Sequence, residues 1–181
     1  MIRKEITNWH YTVGLQHYEF PNKKCSIHAT AKLYRNINFR PDIELIMEEN
    51  TFIMDGCTIL VPKLVMRKGS QICAGTVLAG RDSTVLDENV VIGYNCLLLT
   101  SSDLPSGEFM NDVSPEERRD IKSGRIYFQP NSYLGSHSLV MPDVEIHKGI
   151  VIRAFSYIDK NLTQEYFIYD GNKPIIPRNI R

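Results

Sequence analysis

The sequence predicts an all-β chain wound as a parallel β-helix of about five to six coils. Three observations predict it. Bulky apolar residues recur at every sixth position through most of the chain. Their beat is broken only at a few polar points. The one long stretch without it, residues 100–125, is polar and rich in turn formers. A period of six matches neither the 3.6-residue helical repeat nor the two-residue alternation of a plain strand. It matches short strands joined by tight corners, three hexads to a triangular coil of about 18 residues.

The rungs follow in order. Ile27, Leu33 and Phe39 open the series. Met47, Ile53 and Ile59 form the next block, then Met66, Ile72 and Leu78, then Leu86, Ile92 and Leu98. The longest uninterrupted run is Phe128, Leu134, Val140, Ile146, Ile152 and Ile158. Four residues after most of these lies a small or branched residue: Ser132, Ser138, Val144, Ile150, Ser156. The steps from Ile59 to Met66 and from Leu78 to Leu86 exceed six, so corner bulges are expected at Pro62-Lys63 and Gly80-Arg81. One coil cannot bury its own apolar face, so the rungs stack, with successive coils about 4.8 Å apart.

The excursion from Thr100 to about Arg125 reads as a protruding loop. Within it, Ser114-Pro115-Glu116-Glu117 has the order of a helix start: a Ser cap, Pro in the first turn, then acids. An ordered loop this long on a regular solenoid is usually functional. Residues 1–24, with Trp9, His10, Tyr11, His17, Tyr18 and Phe20, are expected to cap the first coil. Residues 25–160 form the hexapeptide β-helix, and residues 161–181 leave the hexad phase as a proline-broken C-terminal tail. Caps are expected because bare end coils would expose unpaired strand edges.

Composition narrows the function. Lys+Arg and Asp+Glu both number 21, so there is no basic excess for a nucleic-acid surface. No apolar run approaches a membrane span, and the N-terminus lacks an apolar signal core, so a cytoplasmic protein is expected. Cys25, Cys57, Cys73 and Cys96 are dispersed without a Cys-x-x-Cys pair, and read as small buried hydrophobes rather than metal ligands.

On these residues the block from Cys25 to Arg178 resembles the hexapeptide-repeat acyltransferases, and among them the sugar acetyltransferases related to galactoside and maltose acetyltransferase. The loop, with Ser101-Ser102-Asp103 and Ser106-Gly107-Glu108-Phe109-Met110, resembles that of polysaccharide-biosynthesis O-acetyltransferases. Gly135-Ser136-His137-Ser138-Leu139-Val140-Met141-Pro142 is similar to a segment of the same family's late coils. The resemblance implies a left-handed β-helix, a homotrimer, and acetyl-CoA held as co-substrate along the groove between neighbouring subunits, with no metal. It implies cofactor contacts at Ser136, Ala154, Lys160 and Arg178, and acceptor contacts at Ser101, Ser102, Glu108 and Met110. Two segments depart from the family pattern: Arg153-Ala154-Phe155-Ser156 in the last coil and Gly171-Asn172-Lys173-Pro174 in the tail.

Acyl transfer to a hydroxyl needs a base, a stabilised oxyanion and reactants held in line. Galactoside acetyltransferases place a His in this loop; here the loop has none. Three routes stay open: Asp103 as base, His137 reaching in from the coil face, or an amino-sugar acceptor whose free amine attacks unaided. The leading expectation is O-acetylation of a sugar or nucleotide-sugar in surface-polysaccharide assembly. N-acetylation of a nucleotide-linked amino sugar and a non-catalytic β-helix binding module are the alternatives. A γ-type carbonic anhydrase, which shares the fold, needs three zinc-binding His from adjacent coils and subunits; the later coils offer only His137 and His147.

Overall fold

The structure is a computed structural model that describes residues 24–179, so the expected N-terminal cap lies outside the described residues apart from Lys24. The chain is a left-handed parallel β-helix with three flat faces. Face one stacks Ser26–Ile27, Glu44–Met47, Lys63–Met66, Thr84–Leu86, Ile126–Phe128 and Val144–Ile146. Face two stacks Lys32–Leu33, Phe52–Ile53, Gln71–Ile72, Val91–Ile92, Tyr133–Leu134 and Val151–Ile152, continued by Phe167–Asp170 and Lys173–Pro177. Face three stacks Asn38–Phe39, Thr58–Ile59, Val77–Ala79, Leu97–Leu99, Leu139–Val140 and Tyr157–Ile158. Six coils are therefore complete and a seventh is begun, slightly more than the period alone suggested.

The hexad residues are the core. Met47, Met66, Leu86, Phe128 and Ile146 pair in register up face one, and none is more than 1% exposed. Ile53, Ile72, Ile92, Leu134 and Ile152 do the same on face two, and Ile59, Leu78, Leu98, Val140 and Ile158 on face three. Burying each such side chain contributes about 1.5–3 kcal/mol. The small positions line the corners inside, where Thr51, Ser132 and Ser156 turn their hydroxyls onto carbonyls of their own corner, for example Ser156 Oγ to the Arg153 carbonyl at 2.7 Å.

Call the corner between faces one and two the first, that between two and three the second, and that leading to the next coil the third. The first and second corners are uniform. The third carries every irregularity: Arg40-Pro41-Asp42, Pro62, Gly80-Arg81, the long loop, and Pro142-Asp143. The loop leaves after Thr100 and returns before Ile126, so the ladder skips it: Leu86 pairs with Phe128 and Leu98 with Val140.

The tail departs from expectation. Phe167–Asp170 adds to face two in parallel, then Lys173–Pro177 folds back on it antiparallel. The prolines are tolerated because that last strand is an edge. Among the described residues no helix is long and apolar enough to cross a membrane.

Candidate functional site

At the second corner of each coil, the third residue after the core position takes a positive φ. The column runs Asn36, Gly56, Gly75, Asn95, His137, Phe155, with φ from 52° to 72°. The first four are the residues that adopt this conformation most readily. His137, at 59°, adopts it less readily than Gly or Asn, and Phe155, also at 59°, is not among them. The left-handed region costs an ordinary L-residue roughly 1–2 kcal/mol, and the Phe155 side chain recovers little of it by burial, being 79% exposed. The two rings lie nearly parallel, 5° apart in plane with centroids at 5.0 Å.

Beside this column the wall is built of small residues held at close quarters. A Cβ on Gly135 would stand 2.3 Å from the Ala154 amide nitrogen, and one on Gly93 would stand 2.7 Å from the Ser136 amide nitrogen. Ser136 Oγ accepts the Tyr94 N–H at 3.1 Å, while its carbonyl accepts the Phe155 N–H at 2.9 Å. Inside the corner, Thr76 Oγ1 accepts the Cys96 N–H and Ser138 Oγ accepts the Ser156 N–H, tying successive coils together. The second corner is thus rigid and low in relief next to Ser136 and Ala154.

The loop is ordered by charge. Its stem is an antiparallel pair, Ser101–Asp103 with Ile121–Ser123, anchored where Thr100 accepts the Gly124 N–H at 3.0 Å. Arg119 grips Asp103 with two hydrogen bonds, both 2.7 Å, and reaches Asp112 at 2.8 Å. Its side chain is 4% exposed and that of Asp103 22%. The Arg119 hydrogen bonds hold the Asp103 carboxyl below the usual carboxylate range. Glu108 pairs with Arg118, whose guanidinium lies 4.6 Å over the Phe109 ring. Arg81 pairs with Glu116 and pulls the loop back toward the third coil. The expected Ser-capped helix is only a three-residue 3-10 turn, Glu116–Arg118: Pro115 takes the cap position, and Ser114 Oγ bonds Asn111 Oδ1 at 3.0 Å instead. Met110 is left exposed.

The candidate residues therefore fall in distinct places. Ser101 and Ser102 are half-buried in the loop stem, and Ser102 Oγ donates to the neighbouring Asp103 carbonyl at 3.3 Å. Asp103 and Glu108 each hold an arginine of the same loop. Ser136 and Ala154 share the second corner; Lys160 is exposed on the third. Across face three between them lie Leu97, Leu139 and the half-exposed Tyr157. Arg178 sits on the first corner, where its guanidinium donates to the Asn131 and Gly149 carbonyls at 3.1 and 3.2 Å. No single face carries all four cofactor candidates. Among the described residues no group of three or more His, Cys, Asp or Glu is placed to hold a metal ion. Sequence reasoning missed Arg119 and the strained column. The second had a signal: the position three after each face-two core residue reads Asn or Gly until His137 and Phe155 break it.

No family model matches the chain. A curated protein, dTDP-4-amino-4,6-dideoxy-D-glucose acyltransferase of Escherichia coli, is 28% identical over 85 residues. That match covers 46% of this chain and 44% of the other, so it spans less than half of the relative's length. Among solved structures, AntD, an N-acyltransferase from Bacillus cereus in complex with dTDP and 3-hydroxybutyryl-CoA, superposes with a TM-score of 0.74 at 24% identity, covering 83% of this chain and 81% of that one. A serine variant of AntD in complex with dTDP-4-amino-4,6-dideoxyglucose and Coenzyme A gives 0.73 at 21% identity over 85% and 84%. The chain therefore has the left-handed β-helix fold of AntD, along nearly its whole described length.

Proposed function

We propose that this chain transfers an acyl group from acyl-CoA to the amino group of a nucleotide-linked amino sugar, by direct attack in a ternary complex. The observation that carries this reading is the 85-residue match to an acyltransferase named for a dTDP-linked 4-amino sugar. The fold shared with AntD supports it. These likenesses favour the amino-sugar acceptor over the sugar hydroxyl of surface-polysaccharide O-acetylation, which was the leading expectation from the loop.

The loop chemistry supports the same choice. A hydroxyl nucleophile must lose its proton as it attacks, and the best-placed carboxylate, Asp103, is held ionised and doubly bonded by Arg119. A neutral amine carries its own lone pair. The nitrogen attacks the thioester carbonyl, the C–N bond forms and the C–S bond breaks. The amine proton ends on the thiol of CoA, an acceptable leaving group with a pKa of about 8.5 for a simple thiol. The roles left to the protein are positioning and exclusion of water. Ser136 and Ala154 offer the low wall along which the cofactor lies, Lys160 offers a charge for its phosphates, and Ser101, Ser102 and Met110 face the acceptor. Arg178 lies on the remaining corner, so in this reading it meets such a ligand from a second copy of the chain, as sites between subunits of a homotrimer require.

The test is thiol release from acetyl-CoA with dTDP-4-amino-4,6-dideoxyglucose and with its 4-hydroxy counterpart. Release with the amine alone is expected. Release with the hydroxyl alone restores O-transfer, and CoA binding without release in either case leaves a binding module.

A further inference from the structure

We infer that the His137–Phe155 stack is a docking platform for the planar heteroaromatic base of a nucleotide, with Arg153 beside it for the phosphates. The inference rests on the proposed reading of the chain as an enzyme of two nucleotide-bearing substrates.

The stack is unfavourable for folding by itself. Both residues stand in a backbone conformation that the same column elsewhere assigns to Asn36, Gly56, Gly75 and Asn95. The Phe155 ring is 79% exposed, so no core gains from it. Strain of this kind, held at two adjacent coils by a rigid corner, is a mark of a functional position. The ring has one face on His137, at 5.0 Å between centroids. On the next coil Asn172, in the turn between Phe167–Asp170 and Lys173–Pro177, is held by Asp159: its Nδ2 donates to Asp159 Oδ1 at 2.6 Å and its Oδ1 accepts the Asp159 N–H at 3.3 Å. A flat ring laid on Phe155 would continue a stack already begun, in an offset or parallel geometry that aromatic rings favour.

The surroundings fit a nucleotide rather than a bare aromatic. Arg153 is two residues away with its side chain 61% exposed, and its one ion pair among the described residues, to Asp170, is a long 3.4 Å contact. Ala154 and Ser136 flank the platform without bulk, so a ribose and its phosphates can approach the corner closely. Base on aromatic, phosphate on guanidinium and sugar over small residues is the chemistry of nucleotide recognition. Adenine of CoA and the base of the nucleotide-sugar share this chemistry, and the binding experiment separates them.

The variant is Phe155→Asn, a residue that the same column already carries at Asn36 and Asn95, so the fold is kept and circular dichroism checks that it is. Calorimetry then measures dTDP and CoA separately on the wild type and the variant. Stacking on an aromatic side chain predicts a loss of about 5- to 150-fold for the ligand whose base docks there, with the other ligand and base-free pyrophosphate unchanged. Phe155→Tyr restores the affinity. Loss for CoA alone assigns the platform to adenine; loss for dTDP alone assigns it to thymine. If the wild type binds both ligands and Phe155→Asn binds both equally well, the platform is refuted while the proposed activity stands. If the wild type binds neither, both fall.

Discussion

Phe128 is the residue on which the prism resumes after the loop, and its removal gives a quantitative test of the stacked core. It is fully buried, with Leu86 directly above and Ile146 directly below in the same ladder. Those neighbours hang from backbones fixed by parallel hydrogen bonds, so the space left by Phe128→Ala cannot collapse. The cost is then at the full value for a core Phe, about 3–5 kcal/mol. For a chain of this size that lowers the melting midpoint by roughly 6–20 °C. The control is Tyr133→Ala five residues on, whose side chain points outward from face two and is 38% exposed; its cost is at most about 1 kcal/mol. Thermal and guanidinium melts followed by far-ultraviolet circular dichroism measure both. Equal losses for the two variants, or a loss below about 1 kcal/mol for Phe128→Ala, would refute the inward–outward assignment.

Three further outcomes are expected. Arg119 holds Asp103 below its ordinary pKa, so the pair's contribution to loop order is complete above the unfolded carboxylate value of about 3.9 and is lost as pH falls through the depressed one; hydrogen-exchange protection of the Ser101–Asp103 and Ile121–Ser123 amides, taken relative to the intrinsic rate at each pH, is kept at pH 5 and falls only below about pH 4, and loss of protection already at pH 5 contradicts the pairing. Burial pushes Cys57 and Cys73 up to about 11 and raises Cys96, so thiol reagents at pH 8 leave these three unlabelled until denaturant is added, and rapid labelling of the native protein counts against the packed second corner. Gly135→Ala drives a Cβ to 2.3 Å from the Ala154 nitrogen, so both the melting midpoint and CoA affinity drop, and wild-type CoA binding would show that Ser136 and Ala154 do not shape the cofactor wall.

The helix itself was legible because its determinant is local and periodic: from Phe128 to Ile158 each hexad names its own inward residue. The third corner was legible too, since the extra residues at Pro62 and Gly80 show as lengthened steps. The loop was not. Asp103 meets Arg119 sixteen residues later only because the stem strands pair antiparallel, and nothing periodic announces that pairing. An aspartate free in sequence became a brace in structure. The place of Arg178 was not legible either: the antiparallel return of Lys173–Pro177 carries it to the first corner and onto backbone carbonyls. The strained column was readable in principle. Asn and Gly three residues after the core position of each face-two strand mark the positive-φ second corner, and His137 and Phe155 are conspicuous against them.

The nature of the bond made is the most direct test of the proposed chemistry. Product formed from acetyl-CoA and dTDP-4-amino-4,6-dideoxyglucose is purified and treated with alkaline hydroxylamine, which cleaves oxygen esters and spares amides, and its acetyl group is located by NMR correlation. An acetyl group that survives the treatment and is joined to the sugar nitrogen is the predicted result. An acetyl group carried on a sugar hydroxyl oxygen and released by the hydroxylamine would contradict it.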